Sequence, residues 1–349
     1  MRNPRKSSGD RVLQNAFADH EMIPLVDAIR WREALAGIPH DFSHTWEYNR
    51  ALQLTSGLPT FLYQFRGANL RVVCPLSERL EGPYADVITP PGFGGFIGVG
   101  DWKNFPQIWA AYARHRGWVC GYIGLNPILS PVAEFDAVEL HTTNNVYVID
   151  LTLDAHVLLE RMDQSRRREL RRRQARDPCL LITDRESLTK FVLAEYPAFM
   201  KRVNASSSYR RTSETLAAIC ALDKVLLIGA QGALGIEAAY LFAHTSHVAT
   251  YLFSVVLPET RNHIAPMIWH GVQWLQQLGV RYLNLGGGIR PDDTLAHSKQ
   301  RFGAQCLPLH ALKQVYDPTT YAALCSRRGC DPTPGAGYFP AYRDTGTWC

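Results

Sequence analysis

The 349-residue chain has no stretch of about 18 consecutive apolar residues, so nothing in it reads as a membrane-spanning helix. Its basic start, Met1 to Asp10, is not followed by the apolar segment of a secretory signal, and a cytoplasmic protein is expected. Eight cysteines are scattered without a Cys-x-x-Cys pair or a Cys/His zinc spacing. They read as small core residues of a reducing compartment, with only the closeness of Cys325 and Cys330 hinting at redox chemistry. His44, His244 and His247 have no carboxylate spaced to complete a metal set, so no metal and no resident cofactor is expected. A Gly-x-Ser-x-Gly nucleophile elbow is missing too. Lysine is scarce: it supplies seven of the 37 basic side chains, and arginine supplies the rest.

The length exceeds what one hydrophobic core usually supports, which predicts two domains. Net charge is only +5, yet seven arginines fall between Arg166 and Arg176. Guanidinium forks suit phosphate and carboxylate, which makes Arg167, Arg171 and Arg172 candidate anion-binding residues; a solvated helix face explains the same run. Apolar periodicity predicts a mixed α/β chain. In the first half, helices are expected at 25–36, 46–52 and 102–116, a hairpin at 60–76, and strands at 118–125 and 146–151. In the second, a polar helix at 156–176 stops at Asp177-Pro178, and helices follow at 187–205 and 212–221. An antiparallel meander at 224–256, a helix at 264–278 and a strand at 281–285 complete it. The expected divisions are a flexible lead (1–20), a first domain (21–150), a second domain (151–325) and an extension (326–349).

The richest stretch runs from Tyr282 to Gly303. It joins a buried strand to Gly286, Gly287 and Gly288, then to Asp292, Asp293 and the isolated Lys299. Consecutive glycines let a backbone approach a ligand as no side chain would permit. Asp293 stands where a helix starts, either as its cap or as a base, and Lys299 follows at helical spacing as a positive charge for a carboxylate, a phosphate or a developing oxyanion. Pro91-Gly-Phe-Gly-Gly95 is a second glycine-dense loop, in which Gly94 and Gly95 can present amides to an anion or simply turn the chain.

In order along the chain, His44-Thr-Trp-Glu-Tyr48, Pro91 to Gly95, Arg166 to Ala175, Tyr196 to Tyr209, Thr250 to Ser254 and Leu285 to Phe302 resemble the FemAB-like transferases. These are tandem GNAT-fold proteins that move amino acids from aminoacyl-tRNA onto cell-wall peptides. The resemblance spans roughly residues 44–321, and its closing segment is the most specific part. It implies an α/β (mixed α+β) fold of two tandem GNAT-like domains, with mixed, centrally antiparallel sheets flanked by helices. It implies catalytic roles for Lys299 and Asp293, and substrate contacts from Arg202, Tyr209, Tyr251, Gly94, Gly95, Gly287 and Gly288. It also implies amide formation on a nucleotide-linked, lipid-linked or peptide acceptor, such as an envelope precursor, a surface sugar or a peptide-type natural product. The donor would be aminoacyl-tRNA, a co-substrate, and peripheral contact with the inner membrane surface would be compatible.

One departure bears on the donor. The junction from Glu259 to Met267 lacks the glycine loop with which acyl-CoA-dependent GNAT domains hold pyrophosphate. Two alternatives stand beside the leading reading: an acyl-CoA-dependent N-acyltransferase acting on an amino sugar, and a non-catalytic nucleic-acid-binding or scaffold protein using the arginine run.

Overall fold

The computed structural model describes residues 17–176, 180–206, 209–232, 235–258, 263–290, 292–335 and 337–344. The Asp177-Pro178 helix stop, positions 259–262 of the glycine-free junction, most of the expected lead and the last five residues lie outside them.

The first half contains β1 (His20–Pro24), α1 (Ala28–Leu35), α2 (Trp46–Ser56), β2 (Thr60–Arg66), β3 (Leu70–Glu81), β4 (Tyr84–Ile88), β5 (Ile97–Gly100), α3 (Phe105–His115), β6 (Trp118–Gly124) and β7 (Leu140–Asp150). The second contains α4 (Ala155–Arg161), α5 (Gln164–Arg176), β8 (Leu180–Ile182), α6 (Arg185–Arg202), α7 (Ser213–Ala221), β9 (Val225–Gly232), β10 (Gly235–His244), β11 (Val248–Val256), α8 (Ile264–Gln277), β12 (Tyr282–Asn284), α9 (Thr294–Gln300), β13 (Gln305–Val315) and α10 (Pro318–Arg328). Local chemistry fixes the helix ends. Thr45 caps α2, which closes on Gly57 in the left-handed region, and Asp317 and Gly329 do the same for α10.

All thirteen strands form one sheet in the order β1-β2-β3-β4-β6-β13-β7-β12-β11-β10-β9-β8, with β5 on β3. The order is symmetric about the β13/β7 pair. Outward on either side come one antiparallel neighbour, a parallel step (β6 to β4, β12 to β11), and then three antiparallel steps to the edge. A crossover helix, α3 or α8, spans each parallel step, as parallel pairing requires. The chain therefore repeats one strand-and-helix pattern, as expected of a tandem GNAT-like fold. The last strand of each half is exchanged: β13 pairs with β6 of the first half, and β7 with β12 of the second.

Apolar residues of α3 pack on one face of the first half, and those of α8, α4 and α5 cover the second half. Helices α2, α6 and α7 share a further core that joins the halves, with Tyr48 and Leu52 beside Tyr196 and Leu216. The polar helix expected at 156–176 is two helices, because Met162 turns into the core and Asp163 accepts from Ser165 N at 2.9 Å. The extension is held in place. Arg343 and Tyr342, around a short 3-10 turn at Ala341–Arg343, bind the buried Asp86 carboxylate at 2.6 and 2.9 Å.

Candidate active site

Strand β12 carries the closing segment to the seam between the halves. Asn284 is buried, and its Oδ1 accepts from Gly286 N at 2.8 Å, which turns the chain sharply after the strand. Gly286 has φ +73°, and a Cβ there would lie 3.2 Å from Lys299 Nζ and 3.9 Å from the Phe93 ring. At Gly287 a Cβ would meet the Asn145 carbonyl at 2.3 Å, and at Gly288 it would meet Asp293 Oδ1 at 2.2 Å. The glycines are thus required by close approach on every side, as the sequence pattern suggested.

Asp293 caps α9. Its Oδ1 accepts from Ala296 N (2.8 Å), and its Oδ2 accepts from Ile289 N (2.7 Å) and Arg290 N (3.0 Å). Burial opposes ionisation of this carboxyl, but the backbone hydrogen bonds together outweigh it and hold the pKa below the usual range. Both oxygens are committed, which suits a cap and leaves little basicity for a proton acceptor. Lys299, at the far end of the same short helix, is 9% exposed and donates to Gly287 O at 2.6 Å. Burial lowers its pKa from 10.5 to about 8, against a smaller opposing pull from Asp293. A buried ammonium with a single carbonyl partner can answer new negative charge.

The glycine-dense loop reaches this point from the first half. Phe93 N donates to Ser43 Oγ at 2.9 Å, and Asn126 Nδ2 donates to Phe93 O at 2.7 Å, which places the Phe93 ring against Gly286. Gly94 and Gly95 are buried; Gly95 has φ +92°, its carbonyl faces His44 Nε2 at 3.1 Å, and a Cβ there would lie 2.5 Å from Gly124 O. His44 is enclosed, and burial pushes its pKa down to about 3, so it packs as a neutral ring. Beside it, Asp41 accepts from Ser43 N (2.8 Å) and Thr250 Oγ1 (3.1 Å). Full burial raises the Asp41 pKa, with these donors opposing. Thr250 in β11 is the register partner of Asn284 in β12, so Asp41, Thr250, Asn284, Gly286 and Lys299 form a polar line across the seam.

The other candidates lie apart from that line. Tyr251 packs against Tyr240 and Phe242, with centroids at 6.2 and 5.4 Å, and burial raises its pKa. The Arg202 guanidinium donates to Val256 O and stacks on Phe199 at 5.2 Å. Tyr209 is 64% exposed; its carbonyl accepts from Tyr196 OH at 2.5 Å, and next to it Arg211 reaches Tyr48 OH of the first half at 3.4 Å. On α5, Arg171 and Arg172 point outward with Arg168, Arg167 is half-buried, and Arg166 turns inward. A pocket of about 440 Å³, lined among others by Ile38, His40, Ser246 and His247, lies at the seam but does not include Lys299. Among the described residues no group of three or more side chains is arranged to hold a metal, and no helix is long and apolar enough to cross a membrane.

The overall fold, two strand-exchanged halves on one sheet, is shared with solved structures. FemX superposes with a TM-score of 0.65 over 87% of this chain and 99% of FemX, at 12% identity. The chain has the FemX fold. A conserved protein of unknown function from Bacteroides thetaiotaomicron follows at 0.56, with 12% identity and coverage of 85% and 99%. The C-terminal domain of a protein described as a lysylphosphatidylglycerol synthetase, from Agrobacterium fabrum, gives 0.52 at 15% identity, with coverage of 86% and 96%. No family model and no curated protein matches the chain in sequence. The FemX-like fold agrees with the tandem architecture expected from the closing segment. Asp41 and Asn284 escaped the sequence reading: an aspartate before a short helical turn and an asparagine ending a strand both look like ordinary local caps.

Proposed function

We propose that the protein is an acyl- or aminoacyltransferase that forms an amide on an acceptor amine, with Lys299 stabilising the oxyanion. The observation that carries this reading is the buried Lys299 ammonium, held on one carbonyl of a closely packed glycine turn. The acceptor nitrogen attacks the carbonyl carbon of an activated ester, the carbon–nitrogen bond forms, and the ester carbon–oxygen bond breaks. The amine proton passes to the leaving oxygen through the substrate or solvent, since the Asp293 carboxylate is occupied as a cap. Charge that develops on the carbonyl oxygen meets the ammonium where water is scarce, and there such a donor is most effective.

The donor in this proposal is aminoacyl-tRNA, with its phosphates on the outward arginines of α5. The acceptor is a peptide-bearing, nucleotide-linked or lipid-linked precursor, the last in keeping with the lipid named for the Agrobacterium relative. Incubation with radiolabelled charged tRNA and candidate acceptors, with acetyl-CoA and RNase-treated controls, tests the reading. RNase-sensitive incorporation into the acceptor is expected. Incorporation from acetyl-CoA alone would replace the donor, and none from either with a broad acceptor panel would sink the transferase assignment.

A further inference from the structure

Helix α9 is seven residues long and is clasped from one side by the α4–α5 corner. Asp163 N donates to Arg301 O at 3.0 Å, and the Arg301 guanidinium returns to Asp163 Oδ1 at 3.3 Å. Arg166 is 5% exposed; it donates to Ser298 Oγ at 2.7 Å and to Glu169 Oε2 at 2.9 Å, and its guanidinium lies 5.1 Å from the centre of the Phe302 ring. Ser298 and Phe302 flank Lys299 in sequence. Two residues further along α5 the exposed face begins, with Arg168, Arg171 and Arg172. The buried Nε atoms of Arg166 and Arg167 and Oε1 of Glu169 have no hydrogen-bond partner, so this turn is the incompletely satisfied part of the clasp.

We infer that Arg166 is a positioning residue that couples RNA bound on the outer face of α5 to the placement of Lys299. The chemistry of the face is that of a phosphate backbone reader: closely spaced guanidinium groups on one helix, which neutralise a polyanion without reading its sequence. Beside the Asp163–Arg301 contacts at the corner, movement of α5 under that load reaches α9 through the Arg166–Ser298 hydrogen bond and the stacked Phe302 ring, and both attach within three residues of the lysine. The kinetic part of this inference rests on the transferase reading; the structural part does not.

The test follows the acylation of Lys299 in the full chain by an amine-selective reagent at fixed pH, quantified by peptide mass spectrometry, with and without deacylated total tRNA. RNA should change the wild-type labelling rate about three-fold or more, the scale of one weak coupling between sites. Arg166→Met and Ser298→Ala should bind the same RNA but lose the response, and Arg166→Lys should restore part of it. In the transfer assay, Arg166→Met should lower kcat about ten-fold, the rate equivalent of one charge-assisted hydrogen bond, with the donor KM nearly unchanged. Should Arg166→Met fail to fold, Ser298→Ala, which removes a single hydroxyl, decides the matter. An RNA response that persists in Ser298→Ala and Arg166→Met overturns the coupling. So does a wild-type protein indifferent to RNA, and a response to anionic phospholipid vesicles alone would assign the face to a membrane instead. A labelling response without any transfer from charged tRNA would leave the coupling standing and remove the donor reading.

Discussion

Replacing Lys299 with methionine should make the protein more stable at neutral pH while abolishing transfer. Burial depresses the lysine pKa from 10.5 to about 8, which corresponds to a penalty of about 3 kcal/mol for keeping the ammonium inside. The sign follows from proton counting. Between about pH 8 and 10.5 the unfolded chain holds a proton that the folded chain has released, so stability rises with pH across that window, and below it the folded state bears the whole penalty. Methionine matches the length of the stem and removes the charge, but it strands Gly287 O without its donor, which returns about 1 kcal/mol. A net gain of about 2 kcal/mol is therefore expected at pH 7, and it should fade as the pH approaches about 10. Denaturant unfolding of both proteins at the two pH values measures it. A variant less stable than wild type at pH 7, or a gain equal at both, would refute the reasoning. Activity should fall by about 10² to 10³ in kcat, the cost of a lost oxyanion donor.

Wild-type kcat/KM should decline as pH rises through about 8, because the protonated amine is the active form; a rise instead would make Lys299 a base. Charge reversal of the outer face of α5, Arg168→Glu with Arg171→Glu and Arg172→Glu, should weaken RNA binding and flatten its dependence on salt, read as Kd against ionic strength; unchanged slopes would return the face to solvent. Asp41→Asn should keep the fold and gain stability relative to wild type as pH rises from 4 to 7, because the raised pKa of the buried carboxyl means that its ionised form is the costly one; a loss in urea melts at pH 7 would argue that the carboxylate is needed. Acetyl-CoA should give no saturable thermal shift, whereas a ligand at 100 times its Kd adds about 2.7 kcal/mol and would be seen.

The parts of the fold legible in the sequence were those with local patterns. The meander β9–β11 consists of apolar runs parted by Gly232 and by His244 to His247, and α8 has an apolar stripe from Ala265 to Leu275. Strand β13 was not legible, since Gln305 to Val315 contains Pro308 and Lys313 and alternates weakly; it is a strand because β6 and β7 stand open on either side of it. The site divides in the same way. Lys299, Asp293 and the three glycines lie within fourteen residues and could be read together, whereas Asp41, Thr250 and Asn284 meet only through the sheet. Among seven neighbouring arginines, nothing local marks Arg166 as the one turned inward; its distinguishing partners, Ser298 and Phe302, come from more than a hundred residues away.

The exchange of β7 and β13 limits how this molecule can move and how it can be divided. A chain cut after Asp150 would leave β6 without β13 and β7 without both of its neighbours, exposing three unpaired strand edges at once. Neither half can swing away from the other as a rigid body without breaking those ladders. The two halves should melt as one cooperative unit, and a variant half from another protein could be grafted only if it brought a compatible final strand for its neighbour.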